Sequence, residues 1–284
     1  RLPGFDGATV RMEPDGKVIA YVSHTTQGQG HLTVFAQLVA DTLGLDIADV
    51  TIEEGDTALM PFGTGTVASR GAVSGGGAVI GASIRIATKL RRIAGHLLEV
   101  SPDDVELGGG SATVVGVPEM SVPIRTLAET AYFLGAQALP PDEPAGLEAT
   151  EFYDPPTSSY SNATHIAVVA VDGQSGTVAV ERYYVVHDCG RIINPMIVDG
   201  QVHGGIAQGL GEALMEAMEY SEDGQPISTT LIDYVIPTAL DVPDIQVDHL
   251  ETPSTTTRGG MKGAGEGGVI GAVPAVALAV ADAL

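Results

Sequence analysis

Glycine is concentrated in four short segments of this chain, and this clustering constrains the fold more than any other feature. The 284 residues include 37 glycines, about twice the average usage, and they follow no collagen-like period. Nineteen of them lie in four segments, Gln27–Gly30, Gly63–Gly77, Gly200–Gly211 and Gly259–Gly268. The first three segments adjoin or enter expected helices, whose first turns leave backbone N–H groups unpaired. The clustering predicts a large anionic ligand cradled by backbone amides and by Ser, Thr and Gln side chains. The alternative, that these glycines only cap and turn, stays open.

The charge balance excludes several classes of partner. Lys and Arg total 13 against 36 Asp and Glu, a formal net charge of −23. Such a surface repels phosphate backbones, so neither a nucleic acid nor an anionic membrane is expected as a partner. With 44% hydrophobic and 17% charged residues, the chain has enough apolar side chains to build a core. Because it contains neither a signal peptide nor an apolar run of about 18 residues, we expect a soluble, cytoplasmic protein without a membrane span.

The single cysteine, Cys189, limits the covalent and metal chemistry of the chain. It rules out an internal disulfide, a four-thiolate iron–sulfur cluster and a cysteine-rich zinc site within this chain. The seven histidines show no HxH or HExxH spacing, so the sequence does not favour a metal ligated by histidines. His165 and His187 lie in expected hairpin strands and are expected in the core or at an interface.

Hydrophobic periodicity and turn residues predict an α+β fold with two lobes. Two hairpins, turning at Pro14–Gly16 and Asp172–Gly173, are each followed by a long helix near a Gly-rich segment. The remaining elements form small mixed sheets rather than repeated strand–helix–strand units. A Pro-rich connector over 136–156, expected to lack regular structure, separates a first lobe at 1–145 from a second at 146–284. Further strands are expected at Val50–Glu53, Ile227–Val235 and Ile245–Leu250, and a helix at Pro195–Met218.

Both ends of the chain differ from ordinary termini. The chain begins with Arg1 rather than Met and ends within the apolar helical run Val269–Leu284, whereas chain ends usually lie at the surface. We therefore expect part of a longer polypeptide or one processed chain of a complex. Deliberate shortening of the chain is the open alternative.

Gly263–Gly268 has the spacing of the dinucleotide fingerprint GxGxxG, but its context does not suit that use. No buried strand pattern precedes it, and Glu266 would place a carboxylate against the pyrophosphate. A carboxylate on a glycine loop beside an apolar run suits a general base. A charge that only complements a helix N-terminus is the alternative.

Five segments of the chain form a pattern that is more specific than any single motif. They are Thr25–Gly30, Thr66–Arg70, His187–Pro195, Asp199–Gly209 and Lys262–Gly268. Their order and spacing, which cover nearly the whole chain, resemble the molybdopterin-binding large subunit of the xanthine oxidase family, the molybdenum hydroxylases. The pattern is most similar to the C-terminal half of bacterial members, of the carbon-monoxide-dehydrogenase and heterocycle-hydroxylase type.

This resemblance implies a molybdenum-cofactor-binding domain and a set of site residues. The cofactor is molybdopterin, in bacteria commonly the cytosine dinucleotide, and its dithiolene holds the metal without a protein ligand. The matching positions imply that Gly28 and Gln29 contact the pterin and phosphates. They also imply that the dinucleotide is contacted by Thr66, Ser69, Gly71 and Gln201. Ala68 would face the metal and substrate. Some relatives have Ser at the position of Gly71, so a side-chain contact is lost here. Glu266 matches the catalytic base, and its carboxylate is expected in a cleft wall, partly desolvated. The loops should converge on one cleft, and Cys189 should be structural.

The resemblance also implies an activity and an assembly. The activity is that of an oxidoreductase that hydroxylates an electron-poor carbon with water as the oxygen source. The small-molecule substrate stays open among a purine, an N-heteroaromatic compound, an aldehyde and carbon monoxide. The electron acceptor and the choice between a mononuclear and a dinuclear metal site stay open as well. Implied partners are the remaining half of the large subunit, an iron–sulfur subunit with [2Fe-2S] clusters and an FAD subunit, in a dimer of heteromers. The alternative function is a non-catalytic scaffold or assembly module of the same fold, without the metal.

Overall fold

The chain divides into two units of structure near residue 158. The computed structural model describes residues 4–134 and 138–284. Unit 1 comprises Arg1–Ser158 with Thr256–Gly259, and unit 2 comprises Ser159–Thr255 with Gly260–Leu284. Both units combine helices with small sheets, so the predicted α+β class is confirmed.

The strands of unit 1 are β1 (Asp6–Met12), β2 (Val18–Val22), β3 (Val50–Glu53), β4 (Val105–Gly108), β5 (Ser111–Val114), β6 (Val117–Pro123) and β7 (Glu148–Tyr153), and its helices are α1 (His31–Leu43), α2 (Gly76–Leu98) and α3 (Ile124–Phe133). The strands of unit 2 are β8 (Asn162–Val171), β9 (Val178–Asp188) and β10 (Ile245–His249), and its helices are α4 (Pro195–Leu214) and α5 (Gly267–Ala283).

The main sheet of unit 1 has the strand order β3-β2-β1-β7. β1 pairs antiparallel with β2 and β7, and β2 pairs parallel with β3. Alternate residues of β1, namely Ala8, Val10 and Met12, are buried, as the period of two predicts. α1 and α2 pack on this sheet, and a smaller sheet, β4-β5-β6, adjoins α2 and α3.

β7 is the main difference from the expected organisation of unit 1. It lies inside the Pro-rich connector that was expected to lack regular structure, and residues 136 and 137 of that connector lie outside the described residues. β7 is hydrogen-bonded to β1, so it belongs to unit 1, whereas the sequence assigned residues from 146 onward to the second lobe. Gly77 of α2 has no space for a side chain beside the ring of Tyr153, which brings α2 close to this strand.

Unit 2 is a three-stranded sheet, in the order β10-β9-β8, covered by two helices. The β8–β9 hairpin is antiparallel, and β10 pairs parallel with β9. Its core comprises Tyr183, Val185, Cys189, Val198, Val202, Ile206, Leu210, Ile245, Ala272 and Val276. Cys189 is buried, in agreement with a structural role.

Two expected elements of unit 2 differ in the structure. The strand predicted at Ile227–Val235 is wrong, because that segment forms turns and bends in which Leu231 and Ile232 are exposed. The helix expected to reach Met218 ends at Leu214. Among residues 4–134 and 138–284, no helix has the length and apolar character needed to cross a membrane.

Candidate functional site

The first Gly-rich segment forms a loop between β2 and α1. Within it, the Thr26 N–H donates to Oε2 of Glu54 at 2.7 Å, and Oε1 of Gln29 accepts the Gln27 N–H at 2.5 Å. Gly28 has φ of 103°, and no described atom lies within 4 Å of where its Cβ would be. The loop therefore uses the acceptor end of Gln29 internally and exposes backbone at Gly28.

α1 begins directly after this loop without a cap. Its N-cap residue is Gly30, and within the described chain no side chain accepts a hydrogen bond there and the first turn contains no acidic residue. The first N–H groups of a helix have no intrahelical partners and carry a partial positive charge. This helix start therefore suits an external anion. In contrast, Oδ1 of Asn194 caps α4 by accepting the Ile197 N–H at 3.2 Å.

The second loop contains a strained turn. The Arg70 N–H donates to the Val67 carbonyl at 3.3 Å, and the two central residues, Ala68 and Ser69, have φ of 52° and 55°. Turns with two positive φ values strongly favour Gly and Asn. A non-glycine residue held there costs roughly 1–2 kcal/mol and needs support from its surroundings. The Thr66 hydroxyl donates to the Thr25 carbonyl at 2.7 Å, which joins this loop to the first.

The second loop leads into a π-helical turn, Gly71–Gly75, that continues as α2. A Cβ on Gly71 would lie 2.8 Å from Nε2 of His31, and one on Gly75 would lie 2.7 Å from Nδ1 of His24. A side chain at either position would force an imidazole to move, because the helix start packs directly on two histidines. Two connected loops of unit 1 thus contain six of the predicted site residues: Gly28, Gln29, Thr66, Ala68, Ser69 and Gly71.

Beneath these loops lies a buried cluster of charged and polar side chains that sequence reasoning missed: Asp6, His24, His31, Glu54 and Arg70. Oδ2 of Asp6 is 2.7 Å from Nη2 of Arg70 and 3.7 Å from Nε2 of His24. Oε1 of Glu54 is 3.5 Å from Nδ1 of His31. The alternation of β1 could have revealed Asp6, since it shares the face of Ala8, Val10 and Met12.

Burial shifts the pKa values of three members of this cluster, His24, His31 and Glu54. It lowers the pKa of His31 to about 4, with the neighbouring His24 adding to the effect. Burial likewise lowers the pKa of His24, against the attraction of Asp6, and raises the pKa of Glu54, against the hydrogen bond from Thr26. Burial is the main cause of both the raised pKa of Glu54 and the lowered pKa of His31, so it favours the neutral form of each group.

In unit 2, the loop that carries Glu266 is anchored at Lys262. The Lys262 N–H donates to the Cys189 carbonyl at 2.7 Å, and its Nζ donates to Oδ1 of Asp188 at 3.3 Å. Burial alone would raise the pKa of Asp188, but hydrogen bonds from Thr252, Gly190 and Lys262 lower it to about 2. The Asp-Cys-Gly turn after β9 therefore fixes one end of the Glu266 loop.

The other end of this loop is fixed by glycines that pack closely. A Cβ on Gly268 would lie 2.5 Å from the Val202 carbonyl oxygen of α4, and Gly267 has no space for a side chain beside the imidazole of His187. His187 is 1% exposed, so its expected place in the core is confirmed. These glycines therefore allow α5 to pack closely against α4 and His187.

Glu266 is the N-cap residue of α5 and is exposed. The expected partial desolvation of its carboxylate is therefore not found in this chain. Gln201 is half-buried in the second turn of α4, directly before Val202. The third Gly-rich segment, Gly200–Gly211, lies inside α4 and is not a loop. The predicted convergence of these residues with Gly28 and Thr66 on one cleft stays a prediction.

Two other uses of these residues receive no support. No strand leads into Gly263–Gly268; a 3-10 turn at Arg258–Gly260 and an isolated bridge at Met261 precede it, which disfavours a nicotinamide-type dinucleotide site. Among the described residues, no three His, Cys, Asp or Glu side chains are placed to ligate a metal ion.

Comparison with known proteins identifies the family. Residues 1–243 match the model of the molybdopterin cofactor-binding domain. The chain belongs to the molybdopterin cofactor-binding family.

Similar proteins of this family include enzymes with different names. The chain is 41% identical over 279 residues to the nicotine 6-hydroxylase large subunit of Paenarthrobacter nicotinovorans, covering 98% of this chain and 34% of that protein. It is 38% identical, with the same coverage, to the carbon monoxide dehydrogenase large chain of Afipia carboxidovorans. Among solved structures, quinoline 2-oxidoreductase from Pseudomonas putida 86 matches with a TM-score of 0.96 and 44% identity, over 100% of this chain and 36% of that one. The chain thus spans about a third of the length of these relatives.

The loops of unit 1 fit a molybdopterin cofactor. Residues 57–84 contain no Asp or Glu and a single charged residue, Arg70, and residues 25–31 contain no Asp or Glu, although the chain as a whole is strongly acidic. The two helix starts offer backbone N–H groups, and Gln29 retains its amide N–H donors. Backbone N–H groups and the Gln29 amide suit phosphate oxygens. The charge of Arg70 is already paired with Asp6, and the carboxylate of Glu54 beside the first loop accepts the Thr26 N–H.

Proposed function

We propose that this chain forms part of the large subunit of a molybdenum hydroxylase, in which it binds a molybdopterin cytosine dinucleotide and supplies Glu266 as the catalytic base. When bound, the cofactor supplies a metal centre able to accept two electrons from the substrate. The enzyme hydroxylates an electron-poor carbon of a small molecule, with water as the oxygen source. The names of the relatives include carbon monoxide dehydrogenase, nicotine 6-hydroxylase and quinoline 2-oxidoreductase, so the proposal concerns this reaction class and selects no single substrate.

The observation that carries the proposal is the pair of connected loops in unit 1. Gly28 and Gln29 would bind the pterin and phosphates, while Thr66, Ser69 and Gly71 would line the dinucleotide. The absence of carboxylates from these loops matters because an Asp or Glu in the same loops would repel the phosphates. The Thr66 hydroxyl hydrogen is used in the bond to Thr25, so towards a ligand this side chain would act as an acceptor. Ala68 would face the metal and substrate.

Gln201 and Glu266 would contribute from unit 2. Gln201 would donate an amide hydrogen to the dinucleotide. Glu266 would accept a proton on its carboxylate from the attacking water-derived group. Its backbone is held by the Lys262 anchor and by the packing of Gly268 on α4, so the position of its Cα is fixed although its side chain is exposed. Its desolvation in the working enzyme would come from the bound cofactor, the substrate and the rest of the large subunit.

The proposal includes partners, because the chain is about a third of its relatives' length. The remaining part of the large subunit would complete the cofactor site. Electrons would leave through an iron–sulfur subunit with [2Fe-2S] clusters to an FAD subunit, and the assembly would be a dimer of such heteromers.

The test is the substitution Glu266→Gln in the complete complex. A lost base should lower turnover by roughly 10²–10⁴-fold while the molybdenum content stays at the wild-type level. Glu222→Gln, which changes another exposed Glu in unit 2, is the matched control and should leave turnover unchanged. Near-normal turnover of Glu266→Gln would refute the assignment of the base. A wild-type complex that binds no molybdenum would favour the scaffold alternative.

A further inference from the structure

Arg70 ties the strained turn to the interior of unit 1. Its Nη2 is 2.7 Å from Oδ2 of Asp6 and donates to the Gly4 carbonyl at 3.1 Å, while its Nε donates to Oγ of Ser74 at 3.1 Å. Its Nη1 donates to the hydroxyl of Thr64. The guanidinium therefore connects both sides of the turn at 67–70 to β1 and to the first turn of the following helix.

Asp6 holds this arrangement from the other side. It is fully buried, and its Oδ1 accepts the Thr64 N–H at 3.1 Å. The Asp6 carboxylate thus binds the Thr64 backbone, before the turn, through Oδ1. Through Oδ2 it contacts the side chain of Arg70, at the end of the turn. A buried carboxylate is strongly unfavourable without such partners, so the burial of Asp6 favours the arrangement in which Thr64 and Arg70 both contact it.

We propose that the Asp6–Arg70 ion pair is a positioning device for cofactor binding: it holds Ala68 and Ser69 in the left-handed conformation. Without this support, two non-glycine residues relax to the ordinary φ range. The turn and the helix start at Gly71 would then no longer present their N–H groups to the same anionic cofactor. This inference rests on the proposed function, and it assigns Asp6 and Arg70 no contact with reacting atoms.

The experiment measures molybdenum and cytosine nucleotide per complete complex, together with the thermal midpoint. Asp6→Asn removes the charge but keeps the size of the side chain. We expect retained cofactor to fall about tenfold or more, equivalent to about 1.4 kcal/mol, with the complex still assembled. Arg70→Lys keeps the charge but loses the simultaneous bonds, and it should show the same loss. If Asp6→Asn does not accumulate, cofactor retention in Arg70→Lys tests the positioning role of the ion pair.

Glu143→Gln is the matched control. It breaks another Arg–carboxylate pair of unit 1, in which Nη1 of Arg92 is 2.9 Å from Oε2 of Glu143 and the carboxylate is 6% exposed. Arg92 is 21 residues beyond Gly71, about 30 Å along the helix. This variant should lower the thermal midpoint and retain the cofactor.

The decisive measurement is rescue. Glycine adopts positive φ without steric cost, so Ala68→Gly, which leaves the Ser69 side chain in place, should restore part of the cofactor retention to Asp6→Asn without an equal rise in thermal midpoint. Full retention in Asp6→Asn or Arg70→Lys, equal loss in Glu143→Gln, or failure of Ala68→Gly to rescue would each overturn the inference. If the wild-type complex itself contains no molybdenum or cytosine nucleotide, the proposed function fails instead.

Discussion

Two adjacent glycines of α4 should respond to alanine in opposite directions. Gly204 is exposed, and no described atom lies within 4 Å of the position of a Cβ. A Cβ on Gly205 would lie 2.8 Å from both Cα of Gly268 and the backbone N of Val269. The first substitution therefore adds a methyl group to open space, and the second adds it to the α4–α5 contact.

The magnitudes follow from these surroundings. Gly204→Ala should stabilise unit 2 by about 0.5–1 kcal/mol, because alanine loses less backbone entropy in a helix. Gly205→Ala has the same favourable entropy contribution, but overpacking destabilises unit 2 by about 1–3 kcal/mol, because the backbone atoms of Gly268 and Val269 cannot rotate away. The free energies of unfolding of the two variants should then differ by about 1–3 kcal/mol, with the lower thermal midpoint in Gly205→Ala.

The assay is the thermal midpoint of the complete complex combined with hydrogen exchange of the α4 and α5 amides. Gly205→Ala should accelerate exchange in both helices, whereas Gly204→Ala should leave it unchanged or slow it. Equal midpoints for the two variants would refute the claim that these glycines serve close helix packing.

Three further predictions concern buried titratable groups. The pKa of Asp188 in the folded chain, about 2, lies below its ordinary value. Its carboxylate therefore contributes about 2 kcal/mol to the free energy of unfolding above pH ~4. The difference in unfolding free energy between wild type and Asp188→Asn should shrink as the pH falls from 5 to 2. The pKa of His31 is lowered to about 4 by burial, so the unfolded chain takes up that proton first. The thermal midpoint should therefore decrease as the pH is lowered from 6.5 to 4, and it should decrease less steeply in His31→Gln. Burial raises the pKa of Cys189 to about 11, so iodoacetamide at pH 8 should alkylate it only after denaturation, and rapid labelling of the native complex would contradict its buried placement.

Periodicity predicted the elements whose partners lie close in sequence. The β1–β2 and β8–β9 hairpins, with their turns at Pro14–Gly16 and Asp172–Gly173, form as expected. β7 was missed because it pairs with β1 across about 140 residues and is surrounded by prolines, so local preference gave no sign of it. The apolar pattern of Ile227–Val235 suggested a strand, but in this chain that segment forms turns and pairs with no described strand.

Glycine clustering identified the candidate loops but did not distinguish two physical roles of glycine. Gly28 needs a positive φ and leaves open space, whereas Gly267 and Gly268 allow neighbouring atoms to approach closely. Both roles select glycine, so they are identical in the sequence. The strain at Ala68 was not predictable either, because it depends on the long-range partner Asp6.

The most direct test of the account is a crystal structure of the complete complex, with molybdenum located from its anomalous scattering. We expect the cofactor's phosphate or pterin oxygens within hydrogen-bond distance of backbone N–H groups in Thr25–Gly30 and Thr66–Gly71. A complex that contains the cofactor but makes no contact to either loop would contradict the central claim.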